Sequence, residues 1–504
     1  MSENRKRFFK NGLLLTAVGL AMRSVGMVFN SYVTKTVGAE GIGVYTLIMT
    51  VYSFAITFAT SGINLTVTRL VAAALGDGRD ASVRRILRHS VVYALIFSLT
   101  ATAVLFFLAP YFGLCVLGDG RTVLPLRILA VSLTPIALSS VFSGYFVGVK
   151  RVSRNATVQV LGQVFKIGIT MLAVVRFAEY GVEYATVALC ISATLTECLA
   201  FLVGLAQFLY DKRKYSRSGA NAHFSDVTSM ALPLALSAYI RSALLTLEHI
   251  LIPKRLRDRG ESLSESLAQY GILHGMALPL LLYPMSPLSS FSGLLVPEFA
   301  ESMARGESDR MRRIASEALA TTLTYATVVS VLLAMFSEEL GYVFYDSYSA
   351  GHYISLMACV VPIMYLDHVA DSMLKGIGEH VYSMWVNISD SILSIVLVWF
   401  LIPTLGISGY ALVIVIMEAF NFILSAARLH RRVGFRINLF SSFLLPLACT
   451  GISAIICRRV FIFNGANATA LALVLKLLFS LCIFFALYLP ASALIKHRRL
   501  KKLS

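Results

Sequence analysis

Apolar runs of about twenty residues recur from one end of the chain to the other, and a run of that length crosses a bilayer as one helix. In hydrocarbon every backbone N–H and C=O needs an internal partner, so such runs form helices rather than isolated strands. The hydropathy rule predicts about fourteen spans. In the first half they fall at roughly 11–34, 44–68, 90–110, 123–147, 156–177 and 185–209. In the second half they fall at roughly 228–252, 270–297, 316–337, 352–374, 381–402 and 406–427, with two more near 439–460 and 468–494. The expected class is an all-α polytopic membrane protein. Only 14% of residues are charged against 57% hydrophobic, which excludes an ordinary soluble domain.

A net charge of +17 would suit nucleic acid, but a nucleic-acid surface clusters its cations on a soluble domain. Here they sit in short connections between apolar runs, where they fix topology. The segments assigned to the cytoplasm carry Arg84, Arg85 and Arg88; Lys150, Arg151 and Arg154; Lys212, Arg213 and Lys214; Arg310, Arg312 and Arg313; Arg431 and Arg432; and a basic tail over 496–502. Both termini are therefore expected on the cytoplasmic side of the cell membrane. One loop dissents: Lys254, Arg255, Arg257 and Arg259 fall outside on this count, only partly offset by Glu261 and Glu265. The cysteines are odd in number and form no CxxC, so neither a disulfide framework nor a metal site is indicated. Arg5, Lys6, Arg7 and Lys10 precede a run too long for a signal-peptide core, so that run is expected to stay as the first helix.

That first helix carries Arg23 in its middle. A cation at the bilayer centre costs about 2.5–3.5 kcal/mol on insertion scales, so it marks a pathway or a buried ion pair. The segment Ala21-Met22-Arg23-Ser24 returns as Tyr239-Ile240-Arg241-Ser242, and each arginine is followed seven residues later by a polar residue, Asn30 or Glu248. Seven residues is two helical turns, so each pair shares a face. Arg84-Arg85-Ile86 likewise matches Arg312-Arg313-Ile314, and the glycine pairs Gly43/Gly271 and Gly148/Gly376 keep the same spacing. Each half holds an even number of spans, so the halves read as parallel repeats about an axis along the membrane normal, with substrate near the midplane between them. This divides the chain into a six-helix lobe over 1–215, a second over 216–430, and two appended helices with a basic tail over 431–504.

Pro135, Pro233, Pro279, Pro284, Pro287, Pro297 and Pro362 mark helices expected to be irregular, above all the span 270–297 with its serines Ser286, Ser289, Ser290 and Ser292. Ionisable residues inside spans are few: Arg23, Arg127, Lys166 and Glu197, then Arg241, Glu248, Asp367, Asp371, Asp390 and Glu418, and finally Lys476. Arg127 and Lys476 are placed to snorkel toward an interface. Arg23, Arg241 and Lys166 lie deeper and either contact an anionic substrate or sit in buried ion pairs. A guanidinium fork suits phosphate, donating two parallel hydrogen bonds without losing its charge. Asp367 and Asp371, four apart on one face, and Glu248 either bind Na⁺ or a coupling proton, or neutralise Arg241. No HExxH, phosphate-cradling Gly-Lys loop or GxSxG is present, and no connection is long enough for a catalytic domain, so no enzyme, cofactor or metal is expected.

Gly38-Ala39-Glu40-Gly41-Ile42-Gly43-Val44-Tyr45 followed by Ala59-Thr60-Ser61-Gly62-Ile63 resembles the opening of the stage V sporulation protein B group of polysaccharide flippases. The likeness continues through Gly144-Tyr145-Phe146, Met276-Ala277-Leu278-Pro279-Leu280, Leu295-Val296-Pro297-Glu298 and Lys375-Gly376-Ile377-Gly378-Glu379 to Ile402-Pro403-Thr404-Leu405-Gly406. That group belongs to the multidrug, oligosaccharidyl-lipid and polysaccharide exporter superfamily. The resemblance implies two lobes around a V-shaped central cavity, and two further helices lining a lipid-facing groove. It implies alternating-access transport of undecaprenyl-diphosphate-linked sugars, lipid II among them, during cell-wall or spore-cortex synthesis. In related lipid II flippases, first-helix arginines are needed, and Arg23 is the matching position, with Arg241 its repeat partner. The implied partners are the lipid-linked oligosaccharide, membrane lipids and cell-wall synthesis proteins. Two rivals stay open: a drug/cation antiporter of the same superfamily, and a non-transporting scaffold.

Overall fold

The computed structural model describes residues 3–76, 80–211, 223–461 and 469–503. Lys212, Arg213 and Lys214 lie outside the described residues, as do the side chains of Arg5, Lys6, Arg7 and Lys10 and of the tail. Every regular element among the described residues is helical. In chain order they are α1 (Glu3–Thr60), α2 (Ile63–Gly76), α3 (Asp80–Phe107), α4 (Val123–Ala130), α5 (Leu133–Gly148), α6 (Val152–Phe177) and α7 (Val182–Asp211). Then come α8 (Phe224–Asp258), α9 (Leu263–Gly271), α10 (Leu278–Leu282), α11 (Ser286–Ala304), α12 (Ser308–Met335) and α13 (Ser337–Tyr345). The last are α14 (Tyr348–Ala358), α15 (Val361–Gly376), α16 (His380–Leu405), α17 (Ile407–Val433), α18 (Leu445–Val460) and α19 (Ala470–Leu503).

Among the described residues, 11 helices are long and apolar enough to cross a membrane, or 13 if two bent pairs each form one span. The bent pairs are 120–130 with 133–148, at 43°, and 348–358 with 361–376, at 58°. Pro135 and Pro362 sit at the start of the second helix in each pair, where a missing N–H is tolerated and the preceding turn is broken. The first expected span and most of the second lie in α1, which is broken at Gly38 (φ 79°, ψ 171°), a conformation glycine reaches without steric cost; the second runs on across the turn at Ser61 and Gly62 into α2.

The helices group into two compact units, Thr36–Gly271 and Met1–Lys35 with Ile272–Ser504. In the first, α2 lies on α5 through glycines. A Cβ at Gly144 would come within 2.5 Å of the Asn64 carbonyl oxygen, and one at Gly148 within 3.1 Å of the Thr68 carbonyl oxygen. Gly43 meets the Leu267 carbonyl backbone just as closely, packing α1 onto α9. In the second unit α15 lies on α11 in the same manner, and a Cβ at Gly376 would fall 2.8 Å from the Val296 carbonyl oxygen. Around that contact Phe299, Val369, Met373, Leu374 and Leu429 form a buried core. The appended pair joins this unit through Cys449 and Phe484, packed with Val328 of α12.

Candidate functional site

The chain between α9 and α11 is irregular, as the prolines require. A π-helical turn over Ile272–Ala277 gives way to α10, a 3₁₀ turn over Tyr283–Met285, and then α11. Prolines remove N–H donors and leave carbonyls without their helical partners. Two tyrosines take them up: Tyr365 Oη donates to the Leu281 oxygen at 2.7 Å, and Tyr325 Oη to the Pro284 oxygen at 2.7 Å. This bonding fixes the segment that meets the first helix. Arg23 Nη1 donates to Ser286 Oγ at 3.0 Å, and Ser24 Oγ shares a hydrogen bond with Tyr283 Oη at 2.5 Å. Asn30 reaches the Gly275 oxygen at 3.4 Å, so the face shared by Arg23 and Asn30 runs along the broken span. Arg23 is exposed, has no carboxylate partner among the described residues, and acts electrostatically on His368 of α15.

In the other unit Arg241 is also exposed, and it makes no hydrogen bond or ion pair with a described residue. Its neighbours do the packing: Tyr239 Oη bonds Ser61 Oγ at 2.5 Å and Ser242 Oγ donates to Thr57 Oγ1 at 3.3 Å. Glu248, two turns on, is buried near Tyr270 rather than paired with Arg241. Lys166 is exposed on α6, within electrostatic range of Glu197 on the packed helix α7. Arg23 thus falls in one unit, with Lys166, Arg241 and Glu248 in the other.

Asp367 and Asp371 share one face of α15 but have different partners. Asp371 pairs with Lys375 at 2.5 Å. Asp367 bonds the Ser425 hydroxyl of α17, while its Oδ1 is buried with no hydrogen-bond partner among the described residues. Glu418 of α17 lies within electrostatic reach of both Asp367 and Asp390 of α16. Spacing within one helix gave no sign that these three carboxylates from three helices converge.

Two snorkelling expectations resolve differently. Lys476 is buried and paired with Glu339 of α13 at 3.1 Å, so it docks an appended helix instead of reaching an interface. Arg127 lies over the Phe106 ring at 5.7 Å, with Nε buried and unbonded among the described residues.

Apolar helices interrupted at prolines, with polar side chains collected at the interruptions, define a polytopic membrane protein of the transporter kind. Residues 8–303 match the polysaccharide biosynthesis protein family and residues 265–400 match MatE; the first match covers more than half of the chain, which belongs to that family. Stage V sporulation protein B of Bacillus subtilis (strain 168) is 28% identical over 480 residues, spanning 93% of this chain and 92% of that protein. Lipid II flippase MurJ of the same strain is 23% identical over 424 residues, spanning 78% and 76%. Among solved structures, lipid II flippase MurJ in an inward closed conformation superposes with a TM-score of 0.74 at 13% identity, over 97% of this chain and 99% of that one. An inward-facing multidrug resistance MATE family transporter of the MOP superfamily gives 0.68 at 16% identity, over 82% and 94%. At such identities the superpositions establish the fold. The resemblance read from residues 38–63 onward holds, and the chain is a multi-pass membrane flippase or transporter of this superfamily.

Proposed function

We propose that the protein flips an undecaprenyl-diphosphate-linked oligosaccharide, a peptidoglycan precursor such as lipid II, across the cytoplasmic membrane by alternating access. The observation that carries this reading is that Arg23 and Arg241, both within membrane spans, are exposed and have no carboxylate partner among the described residues. A deep guanidinium is expensive to keep without a counter-charge. A diphosphate supplies that charge in the geometry the fork prefers. Lys166 adds positive field, tempered by Glu197. The polyprenyl tail stays in lipid while the headgroup crosses, and the protein is a transporter rather than an enzyme. Coupling to Na⁺ or H⁺ falls on Asp367, because Asp371 is engaged by Lys375 and Glu248 is buried beside Tyr270.

Reconstituted vesicles carrying a fluorescent lipid-linked oligosaccharide test the reading. Arg23→Ala and Arg241→Ala are each expected to slow flipping by at least about tenfold, the loss of one charge-assisted contact. Flipping at the wild-type rate in both variants would end the diphosphate assignment. A second reading, cation/drug antiport, is favoured by the carboxylates Asp367, Asp390 and Glu418 and by the MatE match. It predicts cation-drug efflux that survives both arginine variants and is lost in Asp367→Asn.

A further inference from the structure

The unit Thr36–Gly271 holds a cavity of about 500 Å³ walled by α1, α3, the turn after α3, and α8. Val51, Phe58, Leu105, Val116, Leu247 and Ile250 line it, and no charged side chain does. Its one hydroxyl, on Thr246, is turned to the Thr50 carbonyl oxygen at 3.4 Å. Val104 and Leu247 at its edge are exposed while Leu105 on its wall is buried, so it opens to the surface. In a chain surrounded by bilayer, hydrocarbon is the occupant such a lining accepts.

The α8 stripe on this cavity does not stop at Ile250. Ala243, Leu247, Ile250, Lys254 and Arg257 follow one another at spacings of four and three, which keeps them on one helix face. The last two are among the four cations, Lys254, Arg255, Arg257 and Arg259, that run against the topology rule, and the first three of these stand on α8 rather than in a loop. Lys254 and Arg257 are both exposed, and neither has a hydrogen bond or ion pair with a described residue. The adjacent carboxylate, Asp258, is held by Arg255 at 2.7 Å. Arg257 is aimed back over the cavity wall: its Nη1 lies 2.8 Å from where a Cβ on Gly118 would stand, two residues beyond the lining residue Val116. Gly118 has φ +70°, so glycine both reaches this turn and leaves room for the guanidinium.

An apolar slot that runs directly into two unpaired cations has the profile of an amphiphile site. We propose that it binds an anionic glycerophospholipid, with one acyl chain in the cavity and the phosphate on Lys254 and Arg257. The volume suits a single chain of ordinary length and is too small for a long polyprenyl tail. Charge complementarity selects an anionic headgroup over a zwitterionic one. Lys254 and Arg257, at the end of α8, then act as a lipid anchor.

Native mass spectrometry of the delipidated full chain, titrated with phosphatidylglycerol or phosphatidylcholine of matched chains, tests this. One copy of phosphatidylglycerol is expected to be retained about tenfold more strongly than phosphatidylcholine. The double variant Lys254→Gln/Arg257→Gln, at exposed positions, is expected to bring that ratio to about one, and Ala243→Phe to remove one bound copy of either lipid. Should Ala243→Phe fail to fold, the rim variant decides alone. Three results overturn the proposal: no preference in the wild type, a preference that persists in the double variant, or a polyprenyl diphosphate that displaces phosphatidylglycerol from the wild type but not from the double variant.

Discussion

Each unit closes one end with the same device, a carboxylate clasped by two arginines, but with the charges exchanged. In Thr36–Gly271 the acid is Asp211, at the end of α7, held by Arg151 from the turn after α5 and by Arg154, in the first turn of α6, at 3.4 Å. In the other unit the turn after α15 supplies the acid, Glu379, and the end of α17 supplies Arg428 at 2.9 Å and Arg432 at 2.7 Å. Arg151 and Glu379 each stand three residues past a tightly packed glycine, Gly148 and Gly376, so opposite charges occupy the same place relative to it. Aromatic rings accompany both: Arg154 lies over Phe146 and Tyr210, and Arg428 over Tyr382. The two clasps share a form and differ in polarity, and attraction between turn and helix end is unchanged when both signs reverse.

The clasps differ in burial, and that sets the size of the effects. Asp211 is fully buried and also accepts a hydrogen bond from Tyr145 Oη at 2.8 Å, whereas the Glu379 side chain keeps 13% exposure beside an Arg432 that is half exposed. Asp211→Ala leaves two arginines and a buried hydroxyl without their acceptor and is expected to cost about 3–5 kcal/mol, read as loss of thermal stability in detergent. If sign is interchangeable, Arg151→Asp should be nearly as damaging alone, and Arg151→Asp combined with Asp211→Arg should recover at least about 1 kcal/mol of the loss. No recovery would mean that local packing, not charge, defines the first clasp. Glu379→Ala, removing a partly exposed acceptor, is expected to cost about 1–2 kcal/mol in the same measurement.

Much of this architecture was legible from residues alone. Spans follow from apolar length, and the broken span from Pro279, Pro284 and Pro287, since loss of an N–H is a local event. The glycine pairs were visible as a pattern, though only coordinates show Gly148 and Gly376 each pressed against a neighbouring backbone. Long-range pairing was not legible. Nothing in the text near Lys476 names Glu339, 137 positions away, and nothing near Asp367 points to Glu418. Arg23 and Arg241 stand out in the sequence because hydrocarbon makes a cation conspicuous; Ser286, which Arg23 contacts, is one of several equivalent serines.

Glu379 also makes its clasp dependent on pH. Arg428, bonding the Glu379 carboxylate, and then Arg432 hold its pKa below the ordinary glutamate value. A carboxyl with a depressed folded-state pKa stabilises the fold above its unfolded value of about 4.3, and that contribution fades as pH falls through the lower folded value. Melting of the wild type is therefore expected to be flat from pH 7 to about 5 and to decline below about 4. Glu379→Gln, which has no such proton to take up, should start lower at pH 7 and decline less steeply, so that the two curves converge in acid. Parallel curves would show that Glu379 holds the turn by shape and neutral hydrogen bonding, leaving Asp211 as the one clasp that depends on charge.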